Sequence, residues 1–154
     1  TNHTLLSTES GYGFICDNDD LSSSNRKGKA ILKNKTSMLS KPVAFKMDDY
    51  KYYILITDKQ YMLVGDLSDI PIMPKGKGVK LINIPKSDEE EKIVFSGVIK
   101  DGERLEIASK NKRTKYIEFD DLEPYIMNRT RRGKKIDSKY THKNTKLIYN
   151  TGKK

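Results

Sequence analysis

A segment of this chain occurs three times, and the recurrence limits the fold more than any other feature. The two best-matched copies begin at Leu5 and Ile54. Laid one on the other without a gap, Thr8 meets Thr57, Tyr12 meets Tyr61, Asp17 meets Asp66 and Asp20 meets Asp69. Each copy runs into a basic, glycine-containing stretch: Asn25-Arg26-Lys27-Gly28-Lys29 in the first and Lys75-Gly76-Lys77-Gly78 in the second. A looser third copy has Asp121-Leu122 in place of Asp69-Ile70 and Arg131-Arg132-Gly133-Lys134-Lys135 as its basic stretch. A period of about 50 residues is the spacing of a propeller-type blade.

The apolar residues support that reading. They come in short bursts such as Phe14-Ile15, Ala30-Ile31-Leu32, Tyr53 to Ile56, Met62-Leu63-Val64, Val79 to Ile84, Ile93-Val94-Phe95 and Tyr116 to Phe119, separated by Gly, Asn, Asp, Ser and Lys. Short Ile-, Val- and Tyr-rich runs between turn residues predict strands, and no long stretch carries the 3.6-residue stripe of a helix. In the second copy, Tyr52 to Thr57 and Tyr61 to Val64 form a hairpin around Asp58-Lys59-Gln60. Pro71 ends it because it cannot donate to a ladder. Val79 to Ile84 is expected as a third strand and Lys92 to Ile99 as a fourth. The fold class is therefore all-β: one domain of roughly three four-stranded blades, with approximate limits 1–48, 49–100 and 101–154. One blade alone leaves an apolar face bare, so each needs its neighbours.

The 154 residues include 30 Lys and Arg against 21 Asp and Glu, a formal net charge of +9. That balance suits nucleic acid, an anionic surface or an acidic protein. The alternative is a propeller-like protein-interaction module whose lysines merely stay in water. Lys75-Gly76-Lys77-Gly78 with Lys80, Arg26-Lys27-Gly28-Lys29, and Arg129, Arg131, Arg132, Lys134 and Lys135 put cations at matching places in three repeats. Such cations neutralise phosphates, and glycines let backbone amides approach them. The second stretch is not a nucleotide-binding P-loop, since it lacks that spacing and a following helix. Tyr12 and Tyr61 share one repeat position beside a turn, which favours a structural role over base stacking.

No catalytic constellation is visible. His3 and His142 stand apart without a nucleophile, and one cysteine with two distant histidines makes no zinc site. Asp19-Asp20 and Asp120-Asp121 fall at the repeat's turn, where Asp caps backbone. No cofactor or metal is expected. Cys16, the only cysteine, reads as a small core residue and excludes an internal disulfide, which suits a cytosolic setting. No apolar run nears the roughly 18 residues of a membrane span. The chain starts without Met or a signal peptide's basic-then-apolar order, so a piece of a longer protein is expected.

Ser10-Gly11-Tyr12-Gly13-Phe14-Ile15-Cys16, then Asp20-Leu21 and Asn25-Arg26-Lys27-Gly28-Lys29-Ala30, resembles one blade of the C-terminal domain of the A subunit of bacterial topoisomerase IV. Ser68-Asp69-Ile70-Pro71, Lys75-Gly76-Lys77-Gly78 and Lys80-Leu81-Ile82-Asn83-Ile84-Pro85 resembles the next, and Arg131-Arg132-Gly133 the last. The likeness runs from about Leu5 to Ile136. The glutamine- and arginine-led glycine box of the related gyrase A tail is not visible. The resemblance implies a β-pinwheel whose blades share strands, with duplex DNA bent over a basic rim. It implies a domain without chemistry of its own, in a bacterial, nucleoid-associated cytoplasmic setting. Its partners would be the rest of the A subunit, which holds the DNA-cleaving tyrosine of an ATP-dependent type IIA topoisomerase, and through it the B subunit. On this reading Arg26, Lys27, Lys29, Lys75, Lys77, Lys80, Arg129, Arg131, Arg132, Lys134 and Lys135 contact DNA.

Overall fold

The structure, a computed structural model, describes residues 2–23, 40–87, 89–143 and 146–154. The expected strand at Ala30-Ile31-Leu32 lies outside these. In chain order the elements are β1 (His3–Ser7), β2 (Tyr12–Asp17), a short helix α1 (Asn18–Ser23), β3 (Val43–Phe45), β4 (Tyr52–Thr57), β5 (Tyr61–Asp66), β6 (Val79–Lys80), β7 (Ile93–Ile99), β8 (Glu103–Ser109), β9 (Lys115–Glu118), β10 (Lys134–Lys135) and β11 (Leu147–Lys153). Single 3-10 turns lie at Leu67–Asp69 and Ser138–Tyr140, and a longer 3-10 segment at Phe119–Tyr125.

Each repeat is built on a hairpin, and the hairpins of the first two are made alike. In the first, Gly11 N donates to Thr8 O at 3.0 Å and Tyr12 N reaches Thr8 Oγ1 at 3.4 Å. In the second, Gln60 N donates to Thr57 O at 2.9 Å and Tyr61 N reaches Thr57 Oγ1 at 3.3 Å. All three turns contain a residue with positive φ: Gly11, Gln60 and Asn111. The capping carboxylates are Asp17, which accepts from Asp19 N at 2.8 Å, and Asp66, which accepts from Ser68 N at 2.9 Å. The aligned pair Asp17 and Asp66 thus does the work that the sequence reading gave to Asp19-Asp20. In the third copy Glu118 stands at the same place and makes no side-chain cap.

The sheets do not follow the repeat boundaries. Their orders are β3-β1-β2-β6, β10-β5-β4-β7 and β11-β8-β9. Val79 to Ile84 is not a strand of the second sheet. It shortens to Val79–Lys80 and pairs with β2 of the first repeat, Tyr12 against Lys80 and Gly13 against Val79. The third repeat likewise gives β10 to the second sheet, Tyr61 against Lys135 and Met62 against Lys134. The backbone accounts for the shortening. Pairing proceeds only while β2 offers a free edge, and Leu81 N closes it on Gly11 O at 2.7 Å. β7 pairs with β4 in its own sheet, as expected.

The sheets pack face to face through two cores. Leu5, Ile15 and Phe45 of the first sheet meet Tyr53, Leu55 and Leu63 of the second. Ile54, Ile56, Met62 and Val64 of the second meet Leu105, Ile107 and Ile117 of the third. The second sheet is thus covered on both faces, which is why β4 reads as an unbroken apolar run instead of an alternating one. Leu6, Phe14 and Cys16 form a small cluster on the other face of the first sheet, with Leu21 and Met73 against it. Burial, then the charges of Asp20 and Asp17, push the Cys16 thiol pKa up, so it stays an uncharged core residue.

Tyr53 fixes the spacing between the first two sheets. Its hydroxyl donates to Leu81 O at 2.7 Å, and burial raises its pKa above the ordinary value, so it remains a donor. Its ring lies across its cross-strand partner Gly65, where any Cβ would collide with it. Gly65→Ala is therefore expected to destabilise the fold by about 1–3 kcal/mol through overpacking. Tyr53→Phe, which removes only the buried hydroxyl, is expected to cost about 1 kcal/mol. Denaturant unfolding of both variants checks the order and size of the two losses.

Candidate nucleic-acid interface

The second and third basic stretches leave the protein at a place that the backbone dictates. Before the second stretch the chain runs parallel to β2: Ile15 N donates to Pro71 O at 3.0 Å and Met73 N to Ile15 O at 2.8 Å. After it, β6 returns antiparallel along the same strand. A chain tied to one strand edge in both directions must turn between the ties, and in that turn Pro74, Lys75 and Lys77 are exposed. The third stretch repeats this on β5. Ile126 bridges Val64 with Met127 N on Val64 O at 3.1 Å, and β10 then returns against Met62 and Tyr61.

Two glycines make the return possible. Gly78 has φ +77° and Gly133 has φ +88°. A Cβ on Gly78 would strike the backbone of Gly13, and one on Gly133 the backbone of Met62, which is Gly13's counterpart in the next repeat. These glycines therefore serve the approach of β6 and β10 to the neighbouring sheet. The sequence reading had explained them by backbone approach to a phosphate.

The cations divide by what holds them. Lys75 and Lys77 are exposed in the turn between the ties, and Arg131, Lys134 and Lys135 are exposed on the third stretch. Lys80, half-buried, reaches Asn83 Oδ1 at 3.3 Å. Arg129, also half-buried, donates from Nη1 to Lys80 O at 3.0 Å, while Asn83 N donates to Arg131 O at 2.8 Å. These two bonds join the second and third basic stretches into one surface. Arg132 is held apart from the rest. Its Nη2 lies 3.0 Å from Glu91 Oε1, and its guanidinium carbon 3.6 Å from the Tyr61 ring centroid. Arg26, Lys27 and Lys29 lie outside the described residues.

Several residues here escaped the sequence reading. Glu91, and Asn83 through its backbone amide, act on partners distant in the chain, so spacing alone could not reveal them; Tyr61 has the structural role that its repeat position favoured, under Arg132. Asn128 was legible: in Asn128-Arg129-Thr130 its side chain accepts from Thr130 N at 2.9 Å, the Asx turn that such a triplet favours. Tyr61 and Tyr116 are each covered by an arginine, Arg132 and Arg104, with guanidinium carbons 3.6 Å from the ring centroids. Among the described residues no group of three or more His, Cys, Asp or Glu could hold a metal ion, and no helix is long and apolar enough to cross a membrane.

A family profile described as the DNA gyrase C-terminal domain, beta-propeller, matches residues 2–36 and 51–100, more than half of the chain. The chain is 30% identical over 149 residues to the A subunit of DNA topoisomerase 4 from Pseudomonas aeruginosa, an alignment covering 94% of this chain and 20% of that protein. It therefore spans about a fifth of the length of that relative. The solved E. coli ParC C-terminal domain superposes with a TM-score of 0.78 at 27% identity, over 99% of this chain and 61% of that one. A crystal structure of the C-terminal domain of DNA topoisomerase IV has the same fold, with a TM-score of 0.72 at 21% identity over 99% of this chain and 47% of that one.

If Gly78 and Gly133 serve strand return, replacing either with Ala adds left-handed strain of roughly 1–2 kcal/mol, and the backbone collision comes on top. In the parent, the Leu81 and Ile136 amides that close on Gly11 and Gln60 should resist hydrogen exchange. Gly78→Ala should release the first and Gly133→Ala the second. Protection that survives both substitutions would sink the assignment.

Proposed function

The chain belongs to the DNA gyrase C-terminal domain family, and from that footing we propose that it is a duplex-DNA-binding and DNA-bending domain of a topoisomerase IV A subunit. The observation that carries the reading is the joining of the second and third basic stretches through Arg129 to Lys80 O and Asn83 to Arg131 O. Those bonds set the backbones that carry the exposed cations side by side, a placement that a mere protein-interaction module with solvated lysines does not need. The exposed Lys75, Lys77, Arg131, Lys134 and Lys135 neutralise phosphates and release counterions, which supplies affinity without reading bases. Arg129, donating to the Lys80 carbonyl, holds the two stretches in register. Arg26, Lys27 and Lys29 extend the same role to the first repeat.

On this proposal the domain does no chemistry. It captures a DNA segment on its basic edge loops, and selectivity comes from DNA shape and crossing geometry more than from base edges. It thereby guides strand passage in supercoil relaxation and decatenation. Cleavage and ATP use belong to the remainder of the A subunit and to the B subunit, its partners in a bacterial cytoplasm at the nucleoid. Basic loops on successive sheets suit a rigid polyanion that must curve to touch each of them. Affinity should therefore grow with duplex length until the surface is covered.

Replacing Lys75, Lys77 and Lys80 together with Ala should weaken binding similarly for unrelated sequences. It should also flatten the dependence of log K on log salt by about 0.9 for each phosphate no longer neutralised. Fluorescence titration of duplexes of several lengths across a salt series reads both effects. Absence of binding by the parent chain at low salt would defeat the proposal.

A further inference from the structure

We infer that Glu91 stands in for a phosphate, keeping Arg132 out of the DNA contact and so setting how many phosphates this surface engages. The inference rests on the proposed DNA-binding role of the basic stretches. Arg132 lies in the middle of the third stretch, between the exposed Arg131 and Lys134, and by sequence it is as good a phosphate ligand as either. Its surroundings differ. Nη2 is 3.0 Å from Glu91 Oε1, and the Glu91 side chain is only 2% exposed against 27% for Arg132. The guanidinium carbon also sits over the Tyr61 ring, 3.6 Å from its centroid.

A carboxylate presents to a guanidinium what a phosphate presents: anionic oxygens at hydrogen-bonding distance. The two are therefore competitors. Glu91 has the advantage of being held in place by the protein, and of being so buried that losing its cation would leave a charge out of water with no compensation. A phosphate arriving from solvent must overcome that penalty, whereas at Arg131 it meets an exposed cation. Arg132 is thus closed to DNA by Glu91. It links the third repeat to the chain just before β7 and to β5 instead of to the ligand. Glu90, next in sequence, is exposed and serves as the natural control.

The test compares Glu91→Gln with Glu90→Gln in the 154-residue chain, using one linear duplex titrated over a range of salt. Both variants remove one negative charge, but only the first frees Arg132. Glu91→Gln should steepen the salt dependence by about 0.9, the value of one further neutralised phosphate, and tighten binding at low salt. Glu90→Gln should leave the slope at the parent value. Adding Arg132→Ala to Glu91→Gln should cancel the gain. A readout without any substitution guards against a misfolded variant: in the parent, the Arg131 side-chain Nε–H resonance should move on saturation with the duplex, and that of Arg132 should not. The inference is overturned if the Arg132 resonance moves with that of Arg131, or if the two Gln variants steepen the slope equally. In those cases parent binding still upholds the DNA-binding role, whereas a parent chain that binds no duplex removes both.

Discussion

Backbone pairing across repeat boundaries is the interaction on which this fold depends. A hairpin alone leaves an edge of unpaired N–H and C=O groups, and an exposed edge invites wrong partners. Here the edge of β2 is taken by β6 from the second repeat, and the edge of β5 by β10 from the third. The closing bonds, Leu81 N to Gly11 O at 2.7 Å and Ile136 N to Gln60 O at 2.9 Å, fall at equivalent places. The apolar cores complete the attachment, since the second sheet buries one face against each neighbour. Repeats joined in this way share both their hydrogen bonds and their cores, and are not beads on a string.

The same pairing determines where the charge lies. The second and third basic stretches are segments that cross to the sheet of the preceding repeat, so β6 and β10 each carry cations to a sheet edge. The crossing also limits what those cations can do. Lys80 and Arg129 are drawn into bonds that hold neighbouring stretches together, and Arg132 is taken by Glu91 and Tyr61. Only the residues between the ties, or facing away from them, keep a free charge. Within the second and third stretches, therefore, the number of basic residues overstates how many are free to meet a ligand.

What the sequence made legible was local. The hairpins, their turns and the all-β class followed from runs and punctuation, and the two Thr residues aligned by the repeat each accept from a tyrosine amide at the turn. The need for neighbours followed from the apolar face that one blade alone leaves bare, and β4 shows it on both faces. What lay beyond reach was pairing over distance. Val79 to Ile84 reads as a strand, but nothing in those residues says that its partner is β2 instead of β5. The roles of Gly78 and Gly133 were hidden for the same reason, because the atoms they avoid belong to the previous repeat. Arg132 and Lys75 look equally good on paper and differ only because Glu91 happens to lie beside one of them.

The donated strands also bear on how the polypeptide emerges from the ribosome. β2 is made well before Val79 and Lys80 exist, so the first sheet waits through the synthesis of another hairpin before its edge is closed. During that wait the nascent chain carries an open edge, and the interval recurs at β5. Such exposure is the hazard of folds dominated by contacts between distant residues. The order of synthesis offers a remedy, because each hairpin can form locally as soon as it is free and then needs only a two-residue strand to finish it. Each of the first two repeats is thus completed by a strand made after it, so the second and third repeats finish their N-terminal neighbours.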